Sequence, residues 1–226
     1  QIFQMGEKLR RDMSEPRATR PRLAVGITDA VPKLVAYRLL EAVARAPLSA
    51  RIECIEGGFD HLLGELALNR VDLVVADRSA PHRANLKLHS QLLANVGIDF
   101  FASEALHQRY ARNYPGSLQG APLLLPARGG ALRDAIDTWL ELHDLRPEIV
   151  GEFSDSALLK TFGRAGLGLF PAPAAMQADI AEYFGARSIG ALQGVSESWY
   201  AISVPRRVPH PAVTHILREG GTHLMG

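Results

Sequence analysis

Apolar positions change their period along the chain, and each change marks an element. Ile2, Met5 and Leu9 recur at three- and four-residue spacing, which predicts the end of a helix over residues 1–13. Ser14 to Pro21 carries two prolines among polar and charged side chains and reads as a linker. Arg22–Ile27 is then a short apolar run, hence a strand. Thr28-Asp29-Ala30-Val31-Pro32 has the chemistry of a helix start, with Pro tolerated in the first turn. A helix over 32–46 places Arg38, Glu41 and Arg45 on one face and Leu39, Leu40 and Val43 on another. Arg51–Glu56 predicts a second strand, Gly57-Gly58 a turn, residues 59–69 a helix and Asp72–Ala76 a third strand. Three strands joined by two helices of this length make two βαβ units, hence a parallel sheet with right-handed crossovers.

A second run of units follows. Ile98–Ala102 is strand-like, Ser103 caps a helix reaching about Asn113, and Leu123–Leu125 is a strand. Gly129-Gly130 opens a helix striped with Leu132, Ala135, Ile136, Trp139 and Leu140, the clearest amphipathic pattern in the chain. Glu148–Phe153 predicts a strand, residues 155–164 a helix, and Gly166–Phe170 a strand ended by Pro171. Residues 174–184 form another helix, Trp199–Val204 a strand and residues 209–218 a last helix. No internal repeat or low-complexity segment interrupts the series. The class is α/β, in two lobes.

Composition narrows the function. The 226 residues are 47% hydrophobic and 22% charged with a formal net charge of +1, which excludes disordered and collagen-like chains. No apolar run approaches the ~18–20 residues of a spanning helix. Residues 1–22 hold six Lys/Arg against three Asp/Glu, which leaves the rest slightly acidic, a poor nucleic-acid surface by itself. The first residues lack the pattern of a secretory signal. The lone Cys54 excludes an internal disulfide framework and fits a reducing, cytoplasmic setting. Between Ile52 and Ile55 it is expected to be a buried, inert thiol.

Ligands of open parallel sheets bind beyond the carboxyl ends of the strands. There, helix N-termini offer unpaired N–H groups. The sequence builds four such corners: Thr28-Asp29, Gly57-Gly58-Phe59, Arg128-Gly129-Gly130 and Ser154-Asp155. Each is also an ordinary helix cap or turn taken alone; four in alternation point to one cleft. Catalytic signals are weak. No nucleophile elbow, zinc-binding His pair or phosphate loop occurs. Gly163, Gly166 and Gly168 enter a strand instead of leaving one, so they read as a turn. The eight histidines are scattered, with His210 and His215 five apart, and are expected to be surface or packing residues. No enzyme is implied.

Arg22-Leu-Ala-Val-Gly-Ile after a Pro-containing linker, Pro32-Lys-Leu opening the first helix, Leu66 to Asp77 and Phe162 to Pro171 resemble the effector-binding domain of LysR-type transcriptional regulators, a bacterial family. The resemblance covers about residues 22–218. Val25 to Leu34, Phe100-Phe-Ala-Ser, Leu123-Leu-Leu-Pro, Arg146 to Lys160 and Tyr200-Ala-Ile-Ser look like the NhaR branch, whose members activate sodium/proton antiporter genes. The loop Ala127-Arg128-Gly129-Gly130 departs from the Ser/Thr/Asn-rich loop expected of that branch.

The resemblance implies a type 2 periplasmic-binding-protein-like fold, two Rossmann-like lobes with mostly parallel sheets joined by two crossing strands. Lobe I would span 22–93 plus 203–226, lobe II 94–202, and residues 1–21 the end of a linker helix and its linker. A DNA-binding winged helix-turn-helix would lie upstream, outside this chain. A homodimer or tetramer would form through lobe I, with no membrane partner and no cofactor. By position, the effector cleft would include Thr28, Asp29, Phe59, Arg128, Gly129, Phe153, Ser154 and Asp155. The effector would be a small anion at Thr28 and Arg128, or a cation such as sodium on the oxygens of Asp29, Asp77 and Asp155. The rival reading is a periplasmic-type solute-binding protein, which shares the two-lobed architecture.

Overall fold

A computed structural model describes residues 21–45, 50–82, 87–205 and 210–225. The helix expected over 1–13 and most of the linker lie outside these residues. Strand β1 (Arg22–Thr28) leads through α1 (Lys33–Arg45) to β2 (Arg51–Gly57), and then through α2 (Phe59–Ala67) to β3 (Leu73–Ala76). β1 lies between β2 and β3 and is parallel to both, as the two βαβ units require. All but the first residue of β1 and every residue of β3 are buried. That burial follows from helices on both faces. Val35, Leu39 and Val43 of α1 cover one face and Leu62, Leu63 and Leu66 of α2 the other.

The chain then enters β4 (His89–Ser103). It continues through α3 (Glu104–Tyr110), β5 (Pro122–Pro126), α4 (Ala131–Leu142), β6 (Glu148–Phe153), α5 (Ser156–Arg164), β7 (Phe170–Pro173), α6 (Gln177–Phe184), β8 (Ala186–Ser203) and α7 (Pro211–Met225). β5 and β6 pair in parallel as a separate sheet. Ile136, Trp139 and Leu140 of α4 pack with Ile98, Phe100, Leu123 and Leu125 in a second core.

The two groups of elements are joined by β4 and β8, of 15 and 18 residues. They run antiparallel from His89↔Ser203 to Ser103↔Ala186, with register shifts near Leu92/Ala94, Gly97/Asp99 and Phe100/Phe101. Each irregularity bends and twists the pair, so one ribbon serves both lobes. The six-stranded order is β2-β1-β3-β8-β4-β7. Arg38 of α1 adds a second link, with its Nε 2.7 Å from Asp179 of α6.

The strand expected at Ile98–Ala102 is a short piece of β4, and that expected at Trp199–Val204 is the end of β8, which stops at Ser203. In β8 the buried residues Ile189, Leu192 and Val195 recur every third position. Bulges displace the inward side chains, so the alternation that signals a strand is lost. The strand expected at Gly166–Phe170 begins only at Phe170 and runs through Pro171 to Pro173. β7 is an edge strand, where the missing N–H of proline is tolerated. Gly166, at φ 78°, turns the chain before it. The last helix continues past residue 218 through Gly220-Gly221, because the helix crosses β4 there: a Cβ on Gly221 would lie 2.5 Å from the Leu93 carbonyl oxygen. Cys54 is exposed, since β2 is the other edge of the sheet. Neighbouring burial and Glu56 still push its thiol up, away from reactivity.

Candidate functional site

The carboxyl ends of β1, β3, β5 and β6 open onto one cavity of about 320 Å³. The first lobe gives it Asp29, Ala30 and Pro32 after β1, and Asp77 after β3. The second gives the turn 126–130 with Leu132 and Arg133 behind it, Phe153 and Ser154 after β6, Lys160 of α5, and Pro171 to Pro173 of β7. Glu197 enters from β8. A smaller polar pocket beside it is lined by Asp29, Lys33, Glu56, Ser154, Asp155 and Ser156, and Lys33 Nζ lies 2.5 Å from Glu56 Oε2.

Five of the eight residues expected in the cleft (Asp29, Arg128, Gly129, Phe153 and Ser154) line the cavity. Asp155 lines only the polar pocket. Its Oδ1 accepts from the amides of Ala157 and Leu158 at 2.8 and 2.7 Å, which is the capping role of an aspartate. The Leu158 amide, aided by that of Ala157, holds its carboxyl below the usual range. Thr28 and Phe59 lie off the cavity. Thr28 is buried, and its Oγ1 has no hydrogen-bond partner. Phe59 packs against the Leu62–Leu66 cluster and carries the Arg78 guanidinium 4.5 Å above its ring. Of the three aspartates considered for a cation, Asp29 and Asp77 share the cavity and Asp155 is engaged in its cap. Among the described residues no group of three His, Cys, Asp or Glu is placed to hold a metal ion.

Three side chains that sequence reasoning passed over dominate the electrostatics. Arg133 is 1% exposed and fully committed: Nε lies 2.9 Å from both Asp137 oxygens, while Nη1 lies 2.5 Å from Glu152 Oε1 and 2.8 Å from the Pro126 carbonyl. It ties the ends of β5 and β6 to α4. The Arg133 hydrogen bond is the main cause that keeps the Glu152 carboxyl below its ordinary range. Lys160 is 5% exposed and donates one hydrogen bond, to the Ser156 carbonyl at 3.1 Å. Burial drags its ammonium down to about 8, against the opposing fields of Glu197 and Asp155. Glu197 has an Oε2 sealed from solvent with no hydrogen-bond partner. Burial pushes its carboxyl up to about 7, resisted by Lys160 and assisted by Asp77.

Lys160 escaped notice because Leu158, Leu159 and Phe162 suggest an apolar face that turns it outward. Instead Leu158 is 49% exposed and the buried side is Leu159, Lys160 and Gly163. Glu197 carried a usable signal: it precedes the buried Trp199 and Ala201 by two and four positions, and strand alternation puts all three on one face.

Two lobes on a bent two-stranded ribbon, with a cavity at the strand ends between them, have the architecture of the periplasmic-binding-protein-like fold. The chain belongs to the LysR substrate binding domain family, whose model matches residues 16–222. It is 28% identical over 192 residues to the transcriptional activator protein NhaR of Escherichia coli (strain K12), covering 85% of this chain and 63% of that one. The same figures hold for the transcriptional activator protein NhaR of Shigella flexneri. The chain thus spans 63% of the length of these relatives. Among solved structures it is similar to the regulatory domain of HypT from Salmonella typhimurium in its apo form. The TM-score is 0.64 at 15% identity, over 92% of this chain and 98% of that one. Full-length CbnR complexed with its target DNA gives 0.66 at 15% identity, over 98% and 78%. Both show the fold. Among the described residues no helix is long and apolar enough to cross a membrane.

Proposed function

We propose that this chain is the effector-sensing and dimerisation domain of a cytoplasmic LysR-type transcriptional regulator, and that a small effector binds in the cavity between its lobes. Lobe I spans 22–93 plus 203–226 and lobe II 94–202. Residues 1–21 lead back to an upstream DNA-binding helix-turn-helix, and copies pair through lobe I. The carrying observation is the cavity itself, shared by Asp29 and Asp77 of one lobe and Phe153, Ser154 and Lys160 of the other. A ligand touching both sides favours one lobe arrangement over another, which is the differential affinity a population shift requires. The chain binds and does not catalyse. A solute-binding protein would share the architecture, but the family match and the similarity to the two NhaR activators favour the regulator.

Thermal unfolding of the wild type and of Ser154→Trp, which fills the cavity mouth, checks the reading. The ligands are a panel of small metabolites, and sodium, lithium and potassium chloride at matched ionic strength. A ligand at 100 times its dissociation constant adds about 2.7 kcal/mol, or roughly 5–10 °C in a domain of this size. The expected result is stabilisation of the wild type that Ser154→Trp abolishes. Equal stabilisation of both proteins would place the ligand elsewhere. Sodium-specific stabilisation lost in Asp29→Asn would identify the effector as the cation.

A further inference from the structure

We propose that the cavity takes a zwitterionic α-amino acid with an apolar side chain, its carboxylate on the Lys160 ammonium and its ammonium on the Glu197 and Asp77 carboxyls. The inference rests on the inter-lobe effector reading and adds the charge pattern of the ligand. Its basis is a set of unspent charges. Lys160 is buried, makes a single hydrogen bond and, among the described residues, forms no ion pair. Glu197 holds a sealed oxygen without a partner. Both line the cavity together with Asp77. Glu197 lies within the fields of both Lys160 and Asp77, yet neither Glu197 nor Asp77 closes onto Lys160. Opposite charges held in one cavity without pairing are costly. A ligand bearing one acidic and one basic group a few ångströms apart satisfies both.

Simpler ligands fit less well. A plain anion would meet Lys160 but leave Asp77, and Glu197 once it has lost its proton, facing it with like charge. A plain cation would meet the acids and face Lys160. Of the neighbouring guanidiniums, Arg133 is spent on Asp137, Glu152 and the Pro126 carbonyl, and the largely exposed Arg128 lies 3.5 Å from Glu152. The exposed Arg78 lies 3.9 Å from Asp77, so Glu197 is the acid that most needs the ligand's ammonium. The remaining wall supplies the side-chain preference. Leu132, Phe153, Pro171 and Pro173 are apolar, and Gly129-Gly130 leaves the space beside them open. Lys160 belongs to the second lobe and Asp77 to the first, so one amino acid would bridge them.

Calorimetric titration of the dialysed 226-residue chain tests this. The probes are L-leucine, L-methionine and L-phenylalanine, each with its deaminated acid and its decarboxylated amine. At least one amino acid is expected to bind, with both of its half-analogues at least tenfold weaker. Lys160→Met and Glu197→Gln should each weaken it at least tenfold while far-UV circular dichroism stays native. Lys160→Arg serves where Lys160→Met fails to fold, since it keeps the charge and should retain more of the binding. The proposal is overturned if no amino acid binds, if an acid or amine binds as tightly, or if neither substitution matters. A ligand of other chemistry that Ser154→Trp blocks would overturn the zwitterion and leave the inter-lobe site standing. Binding untouched by Ser154→Trp would remove both.

Discussion

Gly163→Ala is expected to lower folding stability by about 3 kcal/mol, the upper part of the range for overpacked cores, and to lower Tm by roughly 6–12 °C. Gly163 lies on the buried face of α5, where the helix presses onto β7. A Cβ there would sit 2.1 Å from Cδ1 and 2.4 Å from Cε1 of Phe170. Phe170 cannot retreat, being fully buried and stacked 6.0 Å from Phe101. The helix must move instead, and Lys160 is one turn earlier on the same face. The same substitution should therefore weaken ligand binding as well. Gly64→Ala is the control. It also sits inside a helix, α2, but a Cβ there meets nothing within 4 Å, so the gain in helix propensity should stabilise by about 0.5–1 kcal/mol. Chemical denaturation of the two variants checks the pair.

Stability of the unliganded chain should pass through a minimum between about pH 7 and pH 8. The folded chain keeps the Glu197 proton up to about pH 7, whereas the unfolded chain loses it near the ordinary Glu value of 4.5. Between those values the folded state binds more protons, so stability falls as pH rises. Lys160 acts in the opposite sense. The folded chain releases its proton near pH 8 and the unfolded chain holds it to the ordinary 10.5, so stability recovers over that interval. Each limb should be on the order of 3 kcal/mol. Because the two groups titrate as a pair, each substitution also alters the other limb. Glu197→Gln should remove the descent below pH 7, and Lys160→Met the recovery above pH 8. Denaturant midpoints from pH 5 to pH 10 read both. A wild-type profile without a minimum would contradict the burial assigned to the pair.

Much of the fold was legible because its local patterns agree with its packing. RLAVGIT and LVVA are buried on both faces, so their continuous apolar runs already mean parallel strands. The stripe of α4 fits its role as the lid of the second core. What stayed hidden was the ribbon between the lobes. In β8 the bulges shift the inward positions to every third residue, a period that belongs neither to a regular strand nor to a helix, whereas β4 keeps its alternation at Ala94, Val96, Ile98, Phe100 and Ala102. The site divided in the same way. Of the cavity-lining residues, Asp29, Arg128, Gly129 and Ser154 lay in the strand-end corners, since helix starts have recognisable chemistry, and Phe153 came from the family resemblance alone. Lys160 had no such signal, and that of Glu197 was only its alternation with Trp199 and Ala201. Their importance comes from burial, which depends on how α5 and β8 pack. Phe59 failed as a cleft residue because its corner faces α2's own cluster, where Arg78 covers the ring.

The central claim is that occupancy of the cavity changes how the lobes sit relative to each other. Electron–electron distance measurement tests it most directly. Spin labels would be placed at Leu68 of the first lobe and Leu142 of the second, which are 63% and 79% exposed, in a Cys54→Ser background that removes the exposed native thiol. With the cavity saturated by a ligand whose binding Ser154→Trp abolishes, the distance distribution should shift, and the Ser154→Trp protein should show no shift. An unchanged distribution at saturation would contradict the account, leaving a domain that binds without signalling.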